Sequence, residues 1–178
     1  IPSSISKELD QTMAVEERYG AAAHAKENCL CTPVDFNPKL LEIIPKDVID
    51  RDYGCGDPTL WVQSGDTVLD LGSGSGKNAF ICAQVVGANG KVIGVERNQE
   101  MLSLSINAEK VVADKLGFSN VSFLKGSIDA LDKPYSDGNT LVKNKTIDVV
   151  ISNCVLNLVN PSSRKSLLEN IHRVLKPG

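Results

Sequence analysis

From Asp66 onward the chain alternates between two textures. Short runs rich in β-branched residues, "TVLDL" (67–71), "KVIGV" (91–95), "VSFLK" (121–125) and "IDVVIS" (147–152), are apolar at most positions. Such runs, lacking strict apolar/polar alternation, predict parallel strands buried on both faces. Between them "KNAFICAQVV" and "QEMLSLSINAEKVVADKLG" read as helices. In the second, Met101, Leu104, Ala108, Val111 and Val112 recur at helical spacing, and Gly117 supplies a C-terminal stop. A last helix is predicted after Asn160-Pro161, a cap followed by a proline suited to a first turn. It carries Leu167, Leu168, Ile171, Val174 and Leu175 on one side.

This alternation predicts an α/β fold, a Rossmann-like, doubly wound, mostly parallel sheet with right-handed crossovers. Residues 1–60 are more polar and helix-leaning, and are predicted to form a lead-in to a core spanning 61–178. Within the lead-in, Pro45 interrupts "KLLEIIPKDVI" and predicts two short helical pieces. "DKPYSDGNTLVKNK" (132–145) reads as a polar, turn-rich loop, with a substrate lid as the functional alternative. The final "RVLKPG" has the form of a helix about to hand over to another strand. The expectation is therefore the front portion of a longer protein, truncated after strand four, which would present an unpaired edge.

Charge and composition narrow the partners. A formal net charge of -3 over 178 residues offers no basic footprint for phosphates, and 4% aromatic residues leave little for base stacking. No nucleic-acid partner is expected on these grounds. A membrane partner is not expected either, since no apolar run approaches spanning length. The five cysteines, Cys29, Cys31, Cys55, Cys82 and Cys154, are too few and too odd in number for a secreted disulfide framework. Free thiols in a reducing, cytoplasmic setting are expected, with an organelle left open.

The loop "VLDLGSGSG" ends a predicted strand and opens a helix, with an acid, Glu96, about twenty residues further on. Glycines let the backbone turn sharply and approach a ligand, and the amides at the following helix start favour an anionic group. A dinucleotide fingerprint spaces its glycines G-x-G-x-x-G, whereas here Asp70, Gly72, Gly74 and Gly76 form D-x-G-x-G-x-G. That arrangement resembles motif I of the class I, seven-strand S-adenosylmethionine-dependent methyltransferases. The resemblance implies S-adenosyl-L-methionine as cofactor, with Asp70, Gly72, Ser73, Gly74 and Gly76 around its methionyl end. It places Glu96 on the ribose, with Arg97 in the same cofactor set. Asn98 and Met101 fall where the family lines the adenine pocket. "KGSIDAL" puts Ser127 and Ile128 beside the base, and "HRVLKPG" resembles the family's helix before strand five.

Two further elements sharpen the acceptor. "YGCG" before the glycine loop, together with "ISNCVLNL" after strand four, resembles the arsenite methyltransferases, and "CLCT" places Cys31 at a third matching position. The resemblance implies Cys31, Cys55 and Cys154 as arsenic ligands. Asn153 falls at the carboxyl edge of the sheet, near the reacting centre and the cofactor. Trivalent arsenic is soft, so thiolates are its natural ligands. Thiolates displace its oxygen ligands and leave an arsenic lone pair free to attack an electrophilic methyl group, so positioning dominates and no general base is needed.

Other readings stand beside this one. A buried, inert role is the default for a free cysteine and is assigned to Cys82. Cys29 is either a bystander or a competitor of Cys31. Cys29-Leu-Cys31 lacks the spacing and the nearby histidines of a zinc site, so no resident metal is expected. His24 and His172 have no evident catalytic partner, and Trp61 reads as a packing anchor close enough to Cys55 to help shield an acceptor. The substrate is a small molecule or a metalloid. The alternatives to arsenite are a small organic acceptor on the same fold and an inactive cofactor-binding module.

Overall fold

The structure, a computed structural model, describes residues 37–52, 56–133 and 140–178. Two short helices come first, α1 (Pro38–Leu41) and α2 (Lys46–Asp50). Asn37 caps α1 by accepting the Lys39 amide, and the break before α2 falls at Pro45. A 3-10 turn at Pro58–Trp61 follows, capped by the Asp57 carboxylate on the Thr59 amide. Then come β1 (Thr67–Leu71), α3 (Lys77–Val86), β2 (Lys91–Glu96), α4 (Gln99–Leu116), β3 (Val121–Lys125), β4 (Val149–Ile151) and α5 (Arg164–Val174). Asn98 starts α4 by accepting the Glu100 and Met101 amides, and Gly117 ends it in the left-handed region.

The four strands form one parallel sheet in the order β3-β2-β1-β4. Side chains alternate between its faces, and both faces are covered. On one, Val68, Val92, Val121 and Phe123 pack with Phe80 and Val86 of α3, with Leu102 and Val112 of α4, and with Ile44 and Val48 of the lead-in. On the other, Leu69, Leu71 and Val95 meet Leu131, Val142 and Ile147, together with Leu167 and Val174 of α5. Burial on both faces is the reason these strands read as continuous apolar runs. The chain lays β1, β2 and β3 in one direction, then returns to place β4 on the other side of β1. The carboxyl ends of β1 and β4 therefore border a topological switch point, the position where open α/β sheets bind ligands.

Several sequence expectations change in detail. Strand four is limited to Val149–Ile151, because the Asp148 carboxylate takes the Thr67 amide (2.8 Å) and Ile147 bridges to Leu175 instead of β1. With the Lys176 amide on the Ile147 carbonyl at 2.9 Å, the backbone after α5 already runs beside the approach to β4. A 3-10 turn at Pro161–Ser163 delays α5 to Arg164. Its inward stripe is Leu167, Asn170 and Val174, so Leu168, about 100° further round the helix, stands 65% exposed. Val111 is likewise on the outer side of α4. Trp61 is no packing anchor: it is 80% exposed, and the neighbouring Val62 occupies the buried place. None of the described helices is long and apolar enough to cross a membrane.

Gly94, in the middle of β2, has a specific steric reason. A Cβ there would stand 2.4 Å from Phe123 Cδ1 and 2.7 Å from Ser73 Oγ. The Phe123 ring also meets Phe80 edge-on, with centroids 5.3 Å apart, so it is held from a second side. Gly94→Ala is expected to lower stability by about 1–3 kcal/mol through overpacking. The measurement is a lower urea midpoint at unchanged slope.

Candidate functional site

The loop after β1 lies directly on the end of β2. The Gly72 and Ser73 amides both donate to the Val95 carbonyl, at 2.9 and 3.1 Å, and the Gly74 amide donates to Glu96 Oε2 at 2.9 Å. Gly72, Gly74 and Gly76 all have positive φ, at 73°, 54° and 92°. At Gly76 a side chain is excluded twice over, since its Cβ would also come 2.7 Å from Phe123 Cζ. Gly76, whose amide donates to the Ser73 carbonyl at 2.9 Å, is the residue before α3, so the loop leads directly into that helix.

Acids gather beneath this loop. Asp70, at the end of β1, is buried, and its Oδ2 has no hydrogen-bond partner. Burial, with the Asp52 and Glu96 carboxylates adding to it, pushes Asp70 up to about 8. Glu96 is also raised by burial, against the pull of the Asn98, Gly74 and Arg97 amides and the Arg97 charge. Its Oε1 takes the Asn98 amide at 2.7 Å, so one carboxylate ties the loop to the start of α4. Ser73 Oγ is buried without a partner. Lys77, the first residue of α3, forms an ion pair with Asp52, and both side chains are almost wholly buried. Ser75 Oγ donates to the Val48 carbonyl at 2.8 Å, a second link between loop and lead-in.

The remaining cofactor candidates are spread over α4, the end of β2 and the segment after β3. Met101 is buried, its Cε 3.5 Å from where a Gly74 Cβ would stand. Ser127, just beyond β3, donates to the Asp129 carboxylate, and Ile128 sits at the rim of the core. Arg97 is exposed. For Asp129, burial favours the neutral acid, but the Ser127 and Ser163 hydroxyls and the Arg97 charge outweigh it and hold the carboxyl below its usual value.

At the carboxyl end of β4, Ser152 Oγ donates to the Leu71 carbonyl at 3.1 Å, so this segment lies against the root of the glycine loop. Val155 side-chain atoms stand 2.6 Å from where a Gly72 Cβ would be. Between them Cys154 is partly buried and has a φ of 56°, in the left-handed region that a cysteine rarely enters. Its neighbour Asn153 donates through Nδ2 to the Gly56 carbonyl at 3.0 Å. Cys31 and Cys55 lie outside the described residues, as do Cys29 and His24. Cys82 is fully buried on α3, where burial pushes its thiol up and leaves it inert. His172 is exposed.

Sequence reasoning did not foresee the Asp52–Lys77 pair, the Ser75–Val48 bond or the part played by Asp129. A lysine directly after "GSGSG" and an aspartate before "YGCG" were visible, but their pairing spans a turn and a strand that no periodicity connects.

Taken together, the fold and the site define an α/β protein with a glycine loop at the switch point of a parallel sheet and a buried carboxyl, Asp70, beneath it. A family model for the methyltransferase domain matches residues 62–178, and the chain belongs to that family. It is 40% identical over 147 residues to an arsenite methyltransferase of Aquipseudomonas alcaligenes, covering 82% of this chain and 40% of the relative. With the arsenite methyltransferase of Rattus norvegicus the identity is 33% over 174 residues, covering 92% of this chain and 45% of the relative. Among solved structures it resembles an arsenic(III) S-adenosylmethionine methyltransferase from Chlamydomonas reinhardtii. The TM-score there is 0.71 at 35% identity, covering 83% of this chain and 47% of that one. The chain thus spans less than half the length of these relatives.

Asp70 makes stability depend on pH. The unfolded carboxyl ionises near 3.8 and the folded one near 8, so between these values only the unfolded state has lost its proton. Stability of the cofactor-free protein should therefore fall as pH rises across that window and level off above it, by up to about 1.4 kcal/mol per pH unit. Asp70→Asn is expected to remove this component, as measured by urea midpoints from pH 5 to pH 9.

Proposed function

We propose that this chain forms the cofactor-binding part, and some of the acceptor-binding part, of an S-adenosylmethionine-dependent methyltransferase whose acceptor is trivalent arsenic held by cysteine thiolates. The residues present fit the cofactor. Asp70 has an unpartnered carboxylate oxygen suited to the methionyl ammonium, and the glycine cradle has no room for a side chain at Gly72 or Gly76. Glu96 would exchange its bond to the Gly74 amide for the ribose hydroxyls, and Met101 and Ile128 would line the base. When bound, S-adenosylmethionine supplies an electrophilic methyl group on a sulfonium. An ammonium beside Asp70 favours the ionised carboxylate, so binding would draw a proton from that group.

One observation carries the acceptor reading. Cys154 is held in a strained backbone conformation at the switch point, and its neighbour Asn153 is bonded to Gly56, the residue that follows Cys55. A left-handed cysteine costs about 1–3 kcal/mol, a strain that persists where surrounding structure enforces it and that clusters at functional sites. The Asn153–Gly56 bond supports Cys55 and Cys154 serving one acceptor, with Cys31 as the third thiolate. A pair or trio of thiolates suits a soft metalloid. Because such a site needs its thiols reduced, we place the protein in the cytoplasm.

The test is arsenite itself. Cys55→Ser and Cys154→Ser should each lower arsenite-dependent methyl transfer by at least about a hundredfold, with cofactor affinity within about twofold of wild type. Alkylation of the thiols should abolish arsenite binding in a direct titration. Full activity of both variants on arsenite would sink the thiolate site and leave a small organic molecule as the acceptor.

A further inference from the structure

Buried polar atoms without a partner are rare in folded proteins, and each calls for a cause. Among the described residues, four side-chain atoms are of this kind: Asp70 Oδ2, Ser73 Oγ, Asn78 Oδ1 and Asn120 Oδ1. Asn120 has a structural task, since its Nδ2 donates to the Ala83 and Gly87 carbonyls, both at 2.9 Å, at the end of α3. The other three fall between positions 70 and 78, at the opposite end of that helix. They also converge. Asp70 is the register partner of Gly94 on β2, and such partners point to the same face of the sheet. Ser73 Oγ would stand 2.7 Å from a Cβ on Gly94, so it occupies the place beside Asp70 that a β2 side chain would fill. Asn78 lies in the first turn of α3, the helix packed across β1 and β2. It is 5% exposed, and the fully buried Cys82 follows it by one turn, so both lie on the inward face of α3. Burial and, after it, the Asp70 charge hold the Cys82 thiol up, in keeping with that face being turned toward Asp70. The neighbouring cation, Lys77, is paired with Asp52.

All three atoms are oxygens that can accept a hydrogen bond, and one belongs to a carboxyl group. A primary ammonium presents three N–H donors and one positive charge. We propose that Asp70, Ser73 and Asn78 form a three-oxygen cage for a primary ammonium, and that Asn78 is a cofactor-binding residue through this cage. The amine of the methionyl group is the ammonium concerned, so the inference rests on the proposed cofactor site. Asp70 supplies the charge, while Ser73 Oγ and Asn78 Oδ1 fix the direction of the remaining donors. A ligand with no N–H at this point would leave the buried acceptors unpaired. The cage therefore selects an amine over a hydrogen atom or a fully methylated nitrogen.

The experiment is a calorimetric titration with two ligands, S-adenosylhomocysteine and its deamino analogue, in which a hydrogen replaces the ammonium. The wild type should prefer S-adenosylhomocysteine by at least about a hundredfold. Asn78→Leu, which keeps the branching of the side chain but has no acceptor, should cut that preference by at least about tenfold. The loss should fall on S-adenosylhomocysteine, with affinity for the deamino analogue within about twofold of wild type. Asn78→Asp, which keeps the acceptor oxygen, should retain the preference. An unchanged preference in Asn78→Leu overturns the role of Asn78, and so does an equal weakening of both ligands, the mark of a merely structural side chain. Should Asn78→Leu fail to fold, Asn78→Ala gives the same comparison, and Ser73→Ala tests the third oxygen in the same way. Wild-type protein that binds both ligands alike overturns the cage and leaves the cofactor reading standing, whereas wild-type protein that binds neither overturns both.

Discussion

The glycine loop can lie on β2 only because nothing stands between them, and most of the site follows from that close approach. Three successive loop amides reach β2, two on the Val95 carbonyl and one on the Glu96 carboxylate. Gly94 has no Cβ, so Ser73 fits above the strand while Phe123 fits against it. Gly76 then clears the far edge of the same ring as the chain turns into α3. The Phe80–Phe123 contact fills the space underneath, so loop, strand and helix share one packing solution.

Bringing the loop this close also concentrates negative charge. Asp70 and Glu96 arrive at adjacent strand ends, and Asp52 comes in from the lead-in. Water is largely excluded, so Asp70 and Glu96 resist ionisation, and one oxygen of Asp70 has no partner. A fold selected for stability alone would neutralise such a cluster or replace it with apolar groups. Keeping it makes sense where a cationic ligand completes the site, the usual conflict between stability and function.

The segment after β4 is organised by the same switch point. β4 returns beside β1, and the segment after it lies against the root of the loop through the Ser152 bond to Leu71 and the Val155 contact at Gly72. Little freedom remains for the residue between them, and Cys154 takes a conformation that an L side chain rarely adopts. Asn153 then reaches across to Gly56, so the lead-in is drawn into the site from the β4 side as well as from the Lys77 side. This is the physical meaning of a lead-in that reads from sequence as a loose preface.

Strand and helix boundaries in the core were legible because they rest on local causes. The period of the apolar residues, the Asn160 cap and the stop at Gly117 act within a few positions, and 67–71, 77–86 and 121–125 fall where they were expected. The glycine spacing and the acid after strand two were legible for the same reason. Trp61 and Leu168 were misread because helix or turn phase alone cannot say which apolar residue meets the core. Strand four was overextended because its true limit depends on Asp148 and Leu175, which bind from elsewhere in the chain. The sequence by itself determined the alternating elements, the cofactor loop and the set of candidate thiols. Only the tertiary structure decided that Asp52 lies against Lys77, that Asp70 is kept from water, and that the neighbour of Cys154 holds the neighbour of Cys55. Those are contacts between segments dozens of residues apart, and they exist only once packing against the sheet has brought the segments together.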